Sequence, residues 1–160
     1  MPAALASEQH GVASRGQLLA AGLSAKEIEW RLHSGALIAV HRGVYRVGHQ
    51  APLAEATALA AVLACGDGAF LRACSAGHLL GLTRRLPSAP EVATRTQRRV
   101  AGVETKRLRR TDPRDVTIVR AIATTTVPRT LVDLAAVLSA EDLARACHEA
   151  GVRYLSLIHI

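Results

Sequence analysis

The stretch GVASRGQLLAAGLSAKEIEWRLHSGALIAVHRGVYRV, residues 11–47, contains the patterns that decide the fold of the first part of the chain. Segments 14–17 and 24–27 have the sequences S-x-x-Q and S-x-x-E, the capping-box pattern at a helix start. Gly22 and Gly35 follow the two apolar segments and are typical of helix ends. The stretch therefore predicts two short helices with a glycine-containing link, as in a helix-turn-helix.

The residues on both sides of these two helices extend the pattern. Residues 3–10, AALASEQH, are good helix formers and predict a short first helix that Gly11 ends. Residues 36–41 and 44–48 are β-prone runs around an Arg-Gly turn and predict a hairpin. Three short helices followed by a hairpin is the element order of a winged helix.

The third predicted helix, residues 24–34, is the candidate DNA-reading element. Ala25, Ile28 and Leu32 recur at helical spacing and are expected to face the core. The opposite side then carries side chains of the kind that reach base edges in the major groove. A solvated helix face in any helical domain has the same composition, but the hairpin that follows favours DNA binding.

Seven residues are the candidate DNA contacts. Those on the third helix are expected to read bases, and those at the start of the second helix or on the hairpin to hold the backbone. The candidates are Arg15, Gln17, Lys26, Trp30, Arg31, Arg42 and Arg46. Two carboxylates on the third helix oppose a tight grip on phosphate. Glu27 is explained as the capping partner of Ser24, whereas Glu29 has no such role.

From Pro52 onward the pattern becomes mixed. Helices are predicted at 53–65, 75–82, 128–138 and 139–150, and short strands at 91–95, 103–107 and 116–120. Ala101-Gly102 is a candidate turn between the first two strands. We therefore expect an α+β protein: a winged helix-turn-helix domain over residues 1–50, then a small mixed α/β domain over residues 51–154 with a short antiparallel sheet.

Positive charge is concentrated in the middle of the chain. The 160 residues carry a formal net charge of +7. Residues 51–120 have twelve basic and six acidic side chains, whereas residues 1–50 have five and three. Nine of the basic residues fall between positions 84 and 110: Arg84, Arg85, Arg95, Arg98, Arg99, Lys106, Arg107, Arg109 and Arg110. A second nucleic-acid contact, a contact to an acidic partner and a merely solvated pair of strands remain open interpretations.

No segment predicts catalysis, a metal site or a cofactor site. Cys65, Cys74 and His78 lack the spacing of zinc ligands, and the neighbours Cys147 and His148 point apart on a helix. The sequence thus predicts a protein that is not an enzyme and has neither metal nor cofactor. An odd number of cysteines, no secretory signal and no apolar run of about 18 residues favour a cytoplasmic protein without a membrane span.

The last six residues, LSLIHI at 155–160, have the sequence of a translated sequencing-library adaptor. An ordinary apolar tail is the alternative. We expect an artefact that interrupts the natural reading frame near Tyr154, so that any domain beyond that residue is missing.

Several short motifs together resemble one protein family. They are GVASRGQLL at 11–19, AGLS at 21–24, IAVHRGVY at 38–45, LACG at 63–66, SA at 75–76, LGL at 80–82 and TTTVPRTLVDLA at 124–135. With them, residues 3 to about 154 resemble the AbiEi-type antitoxin and transcriptional-regulator family of bacteria. The chain departs from that family where Glu29-Trp30 interrupts the basic residues usual in the third helix.

The resemblance implies a winged helix that binds double-stranded operator DNA. It implies the antitoxin of a type IV toxin–antitoxin system, which represses its own promoter and counteracts a nucleotidyltransferase-like toxin. Similar N-terminal halves precede a very-short-patch-repair-like endonuclease domain in many actinobacterial proteins. The targeting half of such a nuclease, and a protein-interaction module with the basic middle region as its grip, therefore stand as alternative functions.

Overall fold

The N-terminal part is a three-stranded antiparallel sheet with two helices. The computed structural model describes residues 8–48 and 53–155. Within the first range the elements are β1 (Val12–Ser14), α1 (Arg15–Ala20), α2 (Ala25–His33), β2 (Leu37–His41) and β3 (Val44–Val47). The strand order is β1-β3-β2. The predicted second and third helices and the hairpin are confirmed as α1, α2 and β2–β3, whereas β1 was not predicted.

Both predicted capping boxes are present. The Ser14 Oγ accepts from the Gln17 amide at 3.2 Å, and the Gln17 Oε1 accepts from the Ser14 amide at 2.8 Å. Ser24 and Glu27 repeat the arrangement at α2. Each box satisfies amides that a helix leaves free at its first turn, and such a cap contributes about 1 kcal/mol.

The sheet packs on both of its faces. One face carries Tyr45, which clusters with Leu18 of α1 and Ile28 of α2. The other carries Val12 and Val44, which belong to the core of the following part of the chain. Successive side chains of a strand alternate between faces, so this three-residue β1 and four-residue β3 contribute to two cores at once.

The prediction of the inward stripe of α2 is right at one position and wrong at another. Ile28 is fully buried and Leu32 packs partly against the same cluster. Ala25 is exposed, contrary to prediction. It is the first residue of α2, where the helix has only begun and its side of the first turn has no neighbouring element to cover it.

The second described range forms a five-stranded sheet with four α-helices. Its elements are α3 (Ala54–Cys65), β4 (Phe70–Leu71), α4 (Ala73–Leu79), β5 (Glu91–Thr94), β6 (Glu104–Arg107), β7 (Val116–Val119), β8 (Ile122–Thr125), α5 (Val127–Ala135) and α6 (Ala140–Ala150). A 3-10 turn spans Pro113–Asp115, and a π-helical turn, Gly151–Leu155, follows α6. Gly151 ends α6 as predicted, but the backbone continues to wind beyond it.

The α+β class is confirmed, but the sheet of the second part is mixed rather than antiparallel. Its order is β6-β5-β4-β8-β7, and the pairs β5–β6 and β4–β8 are parallel. The predicted turn at Ala101-Gly102 closes only a local bridge between Val100 and Val103. Residues 95–103 bring the chain back to the end of the sheet at which β5 begins. Strand β6 therefore runs in the same direction as β5.

Helix α3 joins the two sheets. It contacts all three strands of the first sheet and β4, β5 and β8 of the second. Its residues Leu59 and Ala60 lie in one buried cluster with Val12, Val44 and Leu71. A hydrogen bond of 2.8 Å between His10 Nε2 and the Arg120 carbonyl oxygen adds a polar link between the two parts.

A buried carboxylate caps α4, whose own N-cap residue, Arg72, makes no side-chain cap. The Ser75 amide in the first turn donates to Glu91 Oε2 at 3.1 Å, and the Glu91 amide donates to Ser75 Oγ at 2.8 Å. A negative charge at a helix start is favourable, and this reciprocal pair fixes α4 to the beginning of β5.

Some predictions lie outside the described residues. These are residues 3–7 of the predicted first helix and residues 156–160 of the predicted adaptor-derived tail. In the described ranges, no helix combines the length and the apolar composition that a membrane-spanning segment requires.

Candidate nucleic-acid interface

Helix α2 presents a cationic and aromatic row to solvent. Ile28 anchors it to the sheet, which places Lys26 and Trp30 on the outer side. Trp30 is 68% exposed, which is unusual for an indole that no partner covers. Arg31, next to it, is half-buried. The three residues predicted to read bases thus share the accessible part of one helix.

The capping box fixes one of the two carboxylates of α2 at the start of the helix. Glu27 Oε2 accepts from the Ser24 amide at 2.7 Å and from the Ser24 hydroxyl at 2.8 Å. These hydrogen bonds, the backbone one first, lower the pKa of Glu27 below its ordinary value. The carboxylate is held at the helix start. Glu29 is exposed on the same helix and makes no ion pair in the described part of the chain.

The start of α1 and the hairpin turn lie side by side. The Arg15 amide donates to the Gly43 carbonyl at 2.8 Å, so the backbone positions of Arg15 and Arg42 are brought together. Arg42 is exposed and Arg15 is half-buried. Gln17 is also nearby, but its Oε1 is occupied by the cap, which leaves only its amide N–H groups for a ligand.

Arg46 lies apart from the other candidates. It is two residues from Val44 on β3 and therefore shares the sheet face that packs against α3. It is half-buried, and its Nε is buried without a hydrogen-bond partner among the described residues. The structure brings Lys26, Trp30 and Arg31 together on α2 and Arg15 beside Arg42, and it places Arg46 on the opposite face of the sheet.

The cations of the N-terminal part have no carboxylate partners. Among the described residues, no ion pair involves Arg15, Lys26, Arg31, Arg42 or Arg46. All thirteen Asp and Glu side chains of the sequence fall within the described ranges. The charges on this part of the surface are therefore available to an external anion.

A second basic surface lies at the β6 edge of the five-stranded sheet. All nine cations between positions 84 and 110 are free of ion pairs with the described carboxylates. Lys106 and Arg107 are exposed on the edge strand β6. Arg95 and Arg98 lie over the turn at Gly66–Gly68, where an added Cβ would come within 3.5 Å of their guanidinium groups.

The thiols are not arranged as nucleophiles. Burial raises the pKa of Cys65. Burial and then the charge of Glu91 raise the pKa of Cys74. Both thiols are therefore protonated at neutral pH. In the part of the chain that the structure describes, no three His, Cys, Asp or Glu side chains are grouped to hold a metal ion.

Residues 1–48 match a family model described as transcriptional regulator, AbiEi antitoxin. This confirms the resemblance over the segment that contains α1, α2 and the hairpin. Over these residues the match indicates a family of transcriptional regulators. No curated protein matches the chain.

One contact could not be found from the sequence. His10 and Arg120 are 110 positions apart, and neither belongs to a motif. The sequence also lacks a local signal for the turn: Arg120 and Ala121 have positive φ of 49° and 63°, but neither is the Gly, Asn or Asp that indicates such a turn. Only the folded chain shows that this turn reaches the N-terminal part.

Proposed function

We propose that the protein is a transcriptional regulator that binds duplex DNA, with α2 in the major groove. The observation that carries the proposal is the row formed by exposed Lys26 and Trp30 and half-buried Arg31, held on the sheet by Ile28 and free of ion pairs among the described residues. Arg and Lys are the usual donors to guanine edges. The family match over residues 1–48 supports the same function.

Different residues take different roles in this proposal. Lys26 and Arg31 read base edges and Trp30 packs against sugar or thymine methyl groups. Arg42 at the hairpin turn, with Arg15 and the Gln17 amide beside it, holds the phosphate backbone. A backbone contact by Arg46 remains a prediction, and its place on the face toward α3 supports it least.

The test is the affinity of the chain for its own upstream DNA and for a scrambled duplex over a salt series. We expect a preference for the natural duplex that persists at moderate salt. Arg31→Ala should weaken binding to the natural duplex by about 1–3 kcal/mol, which corresponds to a Kd that is roughly fivefold to 150-fold higher. Arg145→Ala is the matched control, because that arginine pairs with Glu141 on α6.

The outcome that contradicts the proposal is equal binding to both duplexes that vanishes steeply with salt. Such behaviour would leave only non-specific attraction to phosphate. An Arg31→Ala variant that binds the natural duplex as tightly as the parent chain would contradict the role of α2.

We further propose that the regulator is a cytoplasmic antitoxin paired with a nucleotidyltransferase-like toxin. The family match supports the antitoxin type, and the free thiols Cys65, Cys74 and Cys147 fit a reducing compartment. Expression of a toxin gene encoded beside the natural gene should arrest growth, and co-expression of this chain should restore it. Unrelieved arrest, with the chain present as folded protein, would contradict the pairing.

The basic surface at the β6 edge is a second candidate contact to the same DNA. Lys106 and Arg107 on β6, with Arg98, whose carbonyl accepts a hydrogen bond from Thr105 of β6, support a phosphate contact because none of them is ion-paired among the described residues. An acidic protein partner would require the same positive charges. The DNA affinity of variants at Arg98 and Arg99 distinguishes a DNA contact from a protein contact.

A further inference from the structure

A cleft lies between α3, α4 and the loop that leads to β5. Its volume is about 270 Å³. An apolar cavity of about 150 Å³ already holds benzene, so this cleft has room for one ring or short chain with a polar head group. The apolar side chains of Leu79, Leu86 and Pro87 are among the residues that line it, and Leu86 is exposed. The walls are thus suited to an apolar body.

Two polar residues that line the cleft have unused hydrogen-bonding capacity. Arg120, whose side chain is 59% exposed, uses Nη1 to donate to Glu55 Oε1 at 2.9 Å. A guanidinium has five N–H donors, and this is its one side-chain hydrogen bond among the described residues. His78 lines the same cleft, and its Nδ1 is buried without a partner in the described structure. Buried polar atoms are rarely left unbonded.

The backbone holds Arg120 at the rim of the cleft. Arg120 and Ala121 link β7 to β8 with positive φ at both residues, a conformation that glycine and asparagine adopt easily and that arginine and alanine do not. His10 bonds the Arg120 carbonyl, and Glu55 bonds its guanidinium. Strained backbone persists only where its surroundings fix it, and it occurs preferentially where ligands are clamped.

We infer that this cleft is a binding site for a small organic acid, whose apolar body packs on Leu79, Leu86 and Pro87 and whose carboxylate accepts hydrogen bonds from Arg120. The inference goes beyond the proposed DNA binding and does not depend on it.

An acid fits the charges better than an amine or an alcohol. Glu55 is the one carboxylate among the described residues that line the cleft, and Arg120 already engages it. An ammonium group there would face the guanidinium at close range. A carboxylate can instead accept two parallel hydrogen bonds from the unused N–H groups of Arg120. Such charge-assisted hydrogen bonds are stronger than those between neutral groups.

The test is an NMR titration of the amide signals of the whole chain, without DNA, with hexanoate, hexylamine and 1-hexanol as probes. We expect hexanoate to give saturable shifts at Ala58, Leu79 and Ser88 with a Kd on the order of 1 mM or tighter. The amine and the alcohol should bind at least about tenfold more weakly, since each lacks the carboxylate.

Two variants and a matched control locate the site. Ala58→Leu fills the cleft and should abolish the shifts, whereas Ala64→Leu enlarges another half-buried alanine of α3 that does not line the cleft. Arg120→Asn removes the guanidinium but keeps a residue that tolerates positive φ, and it should weaken hexanoate at least about tenfold.

Three results would overturn the inference. The first is the absence of saturable shifts with any probe, and the second is hexylamine or hexanol binding as tightly as hexanoate. The third is undiminished hexanoate binding by Ala58→Leu or Arg120→Asn, with each variant shown to be folded by its amide spectrum.

Discussion

The arginines of this chain fall into two populations. One population is ion-paired: Arg72, Arg120, Arg129, Arg145 and Arg153 all meet carboxylates. The other comprises the arginines of the N-terminal part, those of the run from position 84 to 110 and Arg114, and none of them is paired among the described residues. Arginine side chains thus form internal ion pairs in one set of positions and, among the described residues, remain without a carboxylate partner in the other.

The network around Asp133 shows what a structural arginine does. Asp133 is 8% exposed and lies 3.2 Å from Arg129 and 3.8 Å from Arg72. Arg129 also reaches Asp115 at 3.3 Å and so ties α5 to the 3-10 turn before β7. By contrast, Arg42 and Lys26 reach no carboxylate, and an anion can bind them without breaking an internal contact. We therefore expect the buried ion pairs around Asp133 to affect stability and the unpaired arginines to affect DNA binding.

The largest expected effect is on stability. Asp133→Ala leaves Arg72 and Arg129 facing a site without its carboxylate, and removing one partner of a buried pair costs about 3–5 kcal/mol. Because Arg129 is partly exposed, we expect the lower end, about 3 kcal/mol, from urea unfolding. Glu141→Ala, at an exposed ion pair, is the control and should leave the unfolding midpoint unchanged. Equal midpoints for Asp133→Ala and the parent chain would remove the distinction between the populations.

The next effect is on DNA affinity without sequence preference. Arg42→Ala removes a proposed phosphate contact at the hairpin turn. It should weaken binding to natural and scrambled duplexes alike and reduce the slope of log K against log salt by about 1. Its unfolding free energy should match that of the parent. A loss confined to the natural duplex would instead assign Arg42 to base reading.

A smaller effect is expected at the β6 edge. The double variant Arg98→Ala/Arg99→Ala should lower the salt slope by up to about 2 if both cations meet phosphate. Arg145→Ala and Arg153→Ala, both from the paired population, are combined as the matched double control. An unchanged slope in the first double variant would contradict the DNA contact and favour an acidic protein partner.

The smallest effect concerns the capping box of α2. The Ser24 hydrogen bonds lower the pKa of Glu27, so the folded value lies below the unfolded one. This stabilisation is present above the unfolded pKa and is lost as pH falls through the folded pKa, below about pH 4. Urea unfolding at neutral and acidic pH should show that the free energy of unfolding falls less on acidification for Glu27→Gln than for the parent chain.

Glu29→Gln is the control for this prediction, because Glu29 lies on the same helix without a bond to Ser24. It should keep the acid dependence of the parent chain. If acidification lowers the free energy of unfolding equally in Glu27→Gln and in the parent chain, the capping carboxylate does not contribute to the pH dependence of stability.

Local sequence patterns were sufficient to predict much of the secondary structure of the N-terminal part. The capping boxes at Ser14 and Ser24 and the hairpin around Arg42-Gly43 depend on residues within a few positions of one another, and all are present. The i,i+4 pairs Arg145–Glu141 and Arg153–Glu149 have the same local origin. The family resemblance also rested on such short motifs, and the match covers the segment where they are densest.

Strand pairing in the second part needed the tertiary structure. Strand β4 has two residues, too few for an alternating pattern, and β8 lies outside the segments in which strands are predicted from the sequence. Both strands lie in the middle of the sheet, where neighbours rather than sequence pattern stabilise them. The parallel pairing of β5 and β6 likewise depends on where the intervening loop returns.

The sequence by itself determined the positions of the longer helices, the capping boxes of α1 and α2, the hairpin and the excess of positive charge, because each depends on neighbouring residues or on composition. Only the tertiary structure decided which charges are paired and which face of the sheet Arg46 occupies. It alone placed Arg72 beside Asp133 and His10 beside Arg120, pairs that are 61 and 110 positions apart. Such contacts form only when helices and strands pack together, and no local pattern records that packing.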